Sequence, residues 1–520
     1  MSPFAILQRL ASRPLVCRLM DRAMSRAAVR RVSWLDRCSP ADAQRQTLLK
    51  LVHQARNTRF GRDHDFGSIR SLADYQCRVP LRDYEAFWSQ YWQASFPNLD
   101  NVTWPEPIPY FGLSSGTTTG ATKYIPVSRQ ILASNQRAAQ TAFGLFLAAH
   151  PGTPLLTGKM FFLGGSTDLQ DLGAGRLAGD LTGITSLTAS WFLRAYSFPP
   201  LELALERDWD KKILRLAEEG ARLPITTLCG LPSWMLVLFD RLRQVTGKEH
   251  VADVWPGLRL IMHGGMKFEP YRRLFERQIG SSDVHYLEMY PASEGFIASE
   301  DPRYGLLRLV PDHNLFFEFV PVAELDSPRP TRHTVADLEV GVQYAVVLTT
   351  CAGLWSYVLG DTVAFERRDP PLLRFTGRTR YFLSAFGEHL ISEEIERAIT
   401  TAASATGTAV VDFHVGPVFP ESPAAPGRHR YLIEFNETPN DMEGFRRELD
   451  AALCRLNEDY AVHRQGDLTM LAPEVVCVRR GGFADWMRSH GKLGGQHKVP
   501  RMDNSGKITE EMRQFFCSRN

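Results

Sequence analysis

The sequence predicts an α/β protein, a large N-terminal domain of helix-flanked β-sheets followed by a smaller C-terminal α+β domain. From about residue 108 onward, short apolar runs alternate with stretches of helical periodicity, as in sheets covered by helices. Behind Gly387 the texture changes to a compact mixture of short strands and helices. The chain, at 520 residues, is too long for one ordinary domain, and 44% hydrophobic residues suffice for a sizeable core. These observations place the boundary near 384–387, giving domains 1–385 and 386–520.

The first 35 residues carry seven arginines, with no acid before Asp21. They lack a continuous apolar core and a small-residue cleavage signature, so the expectation is an amphipathic helix docked on the domain with Ile6, Leu10, Leu15, Leu19 and Val29 inward. Membrane contact through this basic segment is the less favoured reading. Helical periodicity covers 41–57 and 71–92, the latter interrupted by Pro80. Strands are expected at 159–163, 258–262, 283–289 and 343–349, and helices at 128–149, 209–219, 233–244 and 269–278. In the C-terminal part, 392–401 reads as a helix capped by Ser392, 431–436 and 475–479 as strands, and 442–456 as a helix.

A net charge of +2 argues against a protein that binds nucleic acid through a broad basic surface. The eight cysteines form no CxxC and no zinc-finger spacing, so reduced thiols in the cytoplasm are the simplest reading. The most apolar stretch, 228–239, is too short to span a bilayer and contains Pro232.

Five segments carry candidate chemistry. Ser114-Ser115-Gly116-Thr117-Thr118-Thr119-Gly120-Ala121-Thr122-Lys123 precedes a helix and offers backbone N–H groups, hydroxyls and a lysine to anionic oxygens. It lacks the Walker P-loop spacing, and alone such a loop is more often only a loop. Tyr290-Pro291-Ala292-Ser293-Glu294-Gly295 follows a buried strand, where α/β proteins hold ligands; an aromatic there suits a nucleobase and a carboxylate suits Mg²⁺. Tyr357-Val358-Leu359-Gly360-Asp361 places an aspartate after a glycine turn, able to accept both hydroxyls of a ribose. Gly377-Arg378 and Gly387-Glu388-His389 come next. A basic tail from Gly494 through Lys498 and Arg501 to Lys507 closes the chain. Each alone has a bland alternative: a loop, a solvated turn or a charged terminus.

Taken together, in this order and at these separations, the segments resemble the adenylate-forming ligases. Within that superfamily the sequence resembles the auxin-responsive (Gretchen-Hagen-type) acyl acid–amido synthetases in their bacterial form. Ser114 to Lys123 matches that family's SSGTSAGERK-like loop at equal length, one residue longer than the acyl-CoA ligase loop. Tyr290 to Glu294 matches its YASSE-like segment and Tyr357 to Asp361 its YRVGD-like segment. Asn57 to Gly61, Val79-Pro80-Leu81 and His263-Gly264-Gly265-Met266 also look like the family. Three departures stand out: Pro291 in the second segment, Val358-Leu359 in the third, and His389 where the family has lysine.

The resemblance implies an ATP- and Mg²⁺-dependent ligase that adenylates a carboxylic acid, releases pyrophosphate and transfers the acyl group to an amine or amino acid. It assigns phosphate contacts to Ser114, Ser115, Gly116, Thr117, Thr118 and Lys123, and adenine and α-phosphate contacts to Tyr290, Ser293 and Glu294, with Glu294 on the metal. Asp361 would hold the ribose, and Arg378 and His389 would lie at the crossover to a mobile C-terminal lid. Lys498, in a Gln-x-Lys-x-Pro-Arg-like tail, is favoured as the entering lysine over Lys507, which mimics the ending of the wider superfamily. The alternative is an acyl-CoA ligase with a thiol acceptor. The acyl acid, the amine and the oligomeric state stay open.

Overall fold

The structure, a computed structural model, describes residues 14–518 except 116–121, 165–168, 190, 207, 266, 267, 269, 270, 326, 380, 381, 384, 387, 389, 420–425, 458, 459, 462, 463, 465–469 and 493–497. The chain divides into two compact units, Met1–Met266 with Ile279–Phe375, and Lys267–Gln278 with Thr376–Asn520. The sequence boundary at 385/386 therefore falls inside the second unit, which also takes in a segment from the middle of the chain.

The first unit opens with α1 (Pro14–Leu35) and α2 (Pro40–Ala55). Ser39 caps α2, its hydroxyl accepting from Asp42 N–H, and Pro40 stands where a helix needs no N–H donor. Leu48, Leu51, Val52 and Ala55 are buried, as the helical spacing predicts. The expected inward face of α1 is corrected: Leu19 and Val29 are 64% and 50% exposed, and the buried residues are Cys17, Asp21, Ala28, Val32 and Leu35. The reason is close packing through small residues, with Ala28 set against Gly144. Polar anchors add to it: Asp21 accepts from Leu156 N–H, and Arg31 pairs with Asp312 at 2.7 Å. Ile6 and Leu10 lie outside the described residues.

A four-stranded sheet, in the order β2-β1-β5-β4, joins β1 (Tyr110–Ser115), β2 (Thr122–Val127), β4 (Gln170–Gly173) and β5 (Arg176–Gly179). Between them in sequence run α3 (Arg129–Ala149) and β3 (Lys159–Leu163). Ser128 caps α3 at Ile131 N–H and donates to the Cys351 carbonyl, so one hydroxyl both starts the helix and ties it to the core.

An eleven-stranded sheet among the described residues is the backbone of the unit. Its parallel part is built from β3, β6 (Ser197–Phe198), β7 (Ile225–Gly230), β8 (Leu260–Gly264) and β9 (His285–Ala292). The helices α4 (Trp209–Gly220) and α5 (Pro232–Thr246) fall between these strands in sequence, which is the alternation read beforehand. The antiparallel part holds β10 (Gly295–Asp301), β11 (Leu306–Leu309), β12 (Leu315–Pro321), β13 (Gln343–Thr350), β14 (Tyr357–Arg367) and β15 (Leu372–Arg378). β7 and β8 are buried along almost their whole length, as strands covered on both faces must be.

In the second unit, β16 (Phe382–Leu383) pairs with β17 (Leu390–Ile391), and β18 (Val410–Val418), β19 (Arg428–Phe435) and β20 (Glu474–Val478) form a three-stranded sheet. The helices α6 (Ser392–Ala405) and α7 (Met442–Leu456) bury Ile395, Ile399, Phe445 and Leu449 in one core with β18 and β19. Ser392 is the first residue of α6 rather than its cap; the cap position is Ile391, whose N–H donates to the Glu394 carboxylate. Residues 500–503 lie beside β18: Val415 donates to the Arg501 carbonyl and Asp503 to the Val415 carbonyl. The last helix, α8 (Lys507–Cys517), follows.

Candidate active site

The described ends of the first segment lie on β1 and β2, which pair antiparallel. Ser114 stands opposite Lys123 and Ser115 opposite Thr122 in the antiparallel register. Gly116, Thr117 and Thr118 lie outside the described residues. The Lys123 ammonium is 5.3 Å from the ring of Tyr84, a cation–π distance. The Tyr84 hydroxyl accepts from Tyr124 N–H at 2.9 Å, so one side chain braces Lys123 and the strand that carries it. Burial pushes the Tyr84 hydroxyl up to about 12, keeping it neutral around pH 7. Sequence reasoning missed Tyr84, although the neighbouring Val79-Pro80-Leu81 had been singled out. Its placement is tertiary: Arg82 N–H donates to the Ser356 carbonyl, and Val358 N–H to the Arg82 carbonyl, laying this segment beside β14.

The second segment forms a two-residue turn, Ser293-Glu294, between β9 and β10, with Ala292 paired to Gly295. The turn packs on β1, since a Cβ built at Gly112 would sit 3.9 Å from the Ser293 Cβ. A Cβ at Gly264, at the end of β8, would come within 2.4 Å of the Met289 carbonyl oxygen and 3.2 Å of Pro291. Only glycine allows β8 and β9 to close here, which gives the His263-Gly264-Gly265 segment a physical reason. Glu294 is buried. Burial raises its pKa first and the charge of Asp361 adds to that, while Lys123 and the Tyr357 hydroxyl pull the other way.

The third segment is a bulge. Val358 pairs with Val347 and Thr362 with Ala345, so β14 carries extra residues between these points, and Gly360 takes φ +89°. The bulge brings Asp361, which is buried, to the Tyr290 hydroxyl, which donates to Oδ2 at 2.8 Å. The Tyr357 hydroxyl donates to Glu294 Oε1 at 3.2 Å. β14 begins from a strained residue, Ser356 at φ +44°. It is held by the buried pair of Glu318 and Arg332: Ser356 Oγ donates to Glu318 Oε2 and accepts from Arg332 Nη2.

The structure thus brings Lys123, Ser293, Glu294, Tyr290 and Asp361 together from three distant stretches of chain, with Ser114 at the mouth of the hairpin. The Tyr290 hydroxyl thus donates to one buried acid, Asp361, and the Tyr357 hydroxyl to the other, Glu294. A hydroxyl donor stabilises a carboxylate without cancelling its charge. No group of three or more His, Cys, Asp or Glu among the described residues is arranged to hold a metal ion. Mg²⁺ accompanying phosphates needs only one or two protein carboxylates, the rest of its shell being phosphate and water. Glu294, raised by burial and by Asp361, fits that requirement, because a cation would relieve both effects.

The other candidates belong to the second unit or fall outside the described residues. Arg378 ends β15 and is exposed, and His389 is not among the described residues. Lys498 is exposed and directly precedes the segment docked on β18, whereas Lys507, also exposed, is the first residue of α8. None of the eight cysteines forms a disulfide, and no helix among the described residues is long and apolar enough to cross a membrane.

This arrangement of sheets and domains is that of solved acyl acid amido synthetases and, more distantly, acyl-CoA ligases. A structure of AtGH3.15 acyl acid amido synthetase in complex with 2,4-DB superposes with TM-score 0.79 at 18% identity, covering 94% of this chain and 95% of that one. A 2-hydroxyisobutyryl-CoA ligase in the postadenylation state gives 0.58 at 14% identity, covering 91% of each chain. Family models match at residues 36–212 (GH3 N-terminal domain), 308–378 (GH3 central domain) and 393–507 (GH3 C-terminal domain). The chain belongs to the GH3 family. Among curated relatives, the indole-3-acetic acid-amido synthetase GH3.3 of Arabidopsis thaliana is 26% identical over 304 residues, about half of each chain (52% and 49%). The jasmonoyl–L-amino acid synthetase JAR4 of Nicotiana attenuata is 23% identical, over 88% of this chain and 90% of its own length.

Proposed function

We propose that this chain is an ATP-dependent acyl acid–amido synthetase, which adenylates a carboxylic acid and then transfers the acyl group to an amine or amino acid. One observation carries the reading: the hairpin with Lys123, the turn with Glu294 and the bulge with Asp361 converge on a single buried pair of acids with a lysine beside it. The names of the relatives support the reaction class, an acid joined to an amino acid. The bacterial assignment rests on the motif resemblance alone, and the cytoplasmic one on the undisulfided cysteines.

Adenylation is an in-line displacement at the α-phosphate by the substrate carboxylate, with pyrophosphate leaving, and needs no protein nucleophile. The chain's part is orientation and charge. Ser114, Ser115, Gly116, Thr117 and Thr118 hold phosphate oxygens by hydroxyls and N–H groups, and Lys123 neutralises them from the base of the hairpin. Asp361, fixed on one oxygen by Tyr290, accepts from the ribose. Tyr290 and Ser293 line the adenine and α-phosphate region. Glu294 would hold Mg²⁺, which when bound supplies charge stabilisation at the phosphate. Arg378 and His389 belong to the second unit, which would act as the lid.

Lys498 is our choice for the lysine that serves adenylation. It is tethered one residue ahead of a segment anchored by Arg501, whose guanidinium lies 4.4 Å from the Phe413 ring centroid and bonds to Asp412. Lys507 is instead committed to a helix start.

The test is incubation with Mg-ATP and a panel of carboxylic acids, with hydroxylamine as trap. AMP, pyrophosphate and an acyl hydroxamate, all lost in Asp361→Ala, are expected. ADP with phosphate would overturn adenylation. Competing CoA against amino acids as acceptor then separates the amido synthetase from the thioester-forming alternative.

A further inference from the structure

The outward face of α1 takes no part in the reaction proposed above. The helix spends its inward face on the first unit, through Cys17, Ala28, Val32, Leu35 and the buried Asp21. Opposite that face, Arg22, Arg26 and Arg30 stand four residues apart, all exposed. At 3.6 residues per turn this spacing makes a single stripe. None of the three has an acidic partner among the described residues, whereas Arg31, round the side, pairs with Asp312. The only acid of the helix, Asp21, is on the buried side. Exposed apolar side chains line the same stripe: Leu19, Val29 at 50% and Trp34 at 42% exposure. From Leu19 to Trp34 the stripe is about 22 Å long at the α-helical rise.

We propose that this face docks the protein on an anionic lipid surface. Uncompensated arginines next to an aromatic and two aliphatic side chains suit the headgroup boundary, where guanidinium groups meet phosphates and apolar tips enter shallowly. Ala23 and Ala27, small and exposed between the arginines, let the helix axis approach closely. Nucleic acid is the poorer occupant, since the chain's net charge is only +2 and an apolar edge gains nothing from a phosphate backbone. No helix among the described residues is long and apolar enough to span a bilayer, and the contact proposed is a peripheral one. The proposal stands independently of the amido synthetase reading.

The experiment is co-sedimentation of the full chain with phosphatidylcholine vesicles, with and without phosphatidylglycerol, at low and raised salt. Binding only to the phosphatidylglycerol vesicles is expected, weakening as salt rises. Arg22→Gln/Arg26→Gln/Arg30→Gln should lower it about 100-fold, from the typical surface attraction of three arginines. The corresponding triple lysine variant should retain it. Both variants are expected to keep the wild-type melting temperature and pyrophosphate release in solution, which checks their fold. Absence of binding to phosphatidylglycerol vesicles, equal binding to phosphatidylcholine alone, or undiminished binding by the glutamine variant would each overturn the proposal. So would retention on immobilised polyglutamate without vesicle binding, which would make the occupant an acidic polypeptide.

Discussion

Each unit buries carboxylates, but they meet different partners. In the first, Glu294 and Asp361 face tyrosine hydroxyls, with the Lys123 charge at the edge. In the second, Asp412 is closed off by Arg501, which also donates to the Tyr271 hydroxyl at 2.8 Å. Burial raises both Glu294 and Asp412, and only Asp412 has a guanidinium directly on it. A buried acid paired with arginine is structural, because its charge is spent. A buried acid with a hydroxyl donor and a lysine nearby is instead a candidate for chemistry.

That contrast can be broken or sharpened, and the strongest probe is Asp361. Asp361→Asn keeps the shape and removes the charge, and pyrophosphate exchange should fall by roughly 1000-fold with little change in melting temperature. By contrast, Asp412→Asn should leave exchange within a factor of about three while lowering stability by about 3 kcal/mol, since it strands Arg501. Equal catalytic losses in the two variants would end the distinction.

Glu434, in the second unit, is a buried acid held by backbone N–H groups rather than by a guanidinium, and it can be probed by pH. It is buried, accepts from Gly481 and Phe483 N–H groups, and burial raises its pKa to about 7. A carboxyl raised on folding holds its proton more tightly in the native state. Its stabilising contribution is thus complete below about pH 4.5 and is lost as pH rises through about 7, amounting to about 3 kcal/mol. Urea titrations at pH 5 and pH 8 should show this loss in the wild type and a much flatter response in Glu434→Gln.

The choice of lysine is next. Lys498→Ala should cost adenylation about 100-fold, and Lys507→Ala about twofold or less, by AMP formation under saturating ATP. The reverse pattern would move the role to the head of α8.

The smallest expected effect is Tyr357→Phe. Removing one hydroxyl from Glu294 costs about 1 kcal/mol, read as a roughly fivefold loss in exchange at limiting Mg²⁺ that added Mg²⁺ reduces. A loss insensitive to Mg²⁺ would count against Glu294 as the metal residue.

Much of this was legible beforehand because it is local. β3 and α7 begin and end where apolar spacing and turn residues put them. The turn at Glu294 and the aspartate after Gly360 were each recognisable from backbone chemistry. Tyr84 was not, since nothing nearby in sequence announces that its ring meets Lys123. The inward face of α1 was misread because apolar periodicity points to Leu19 and Val29, whereas fit against Gly144 and two polar anchors chose the opposite side.

By itself the sequence determined the α/β class, the order of the elements and the segments that carry the candidate site residues. Propensity, periodicity and side-chain chemistry are properties of short stretches. Only the tertiary structure decided which of those residues share a site. Strand register, the bulge that turns Asp361 toward Tyr290 and the grouping of Lys267–Gln278 with the second unit depend on contacts between residues far apart in the chain, and no local pattern encodes them.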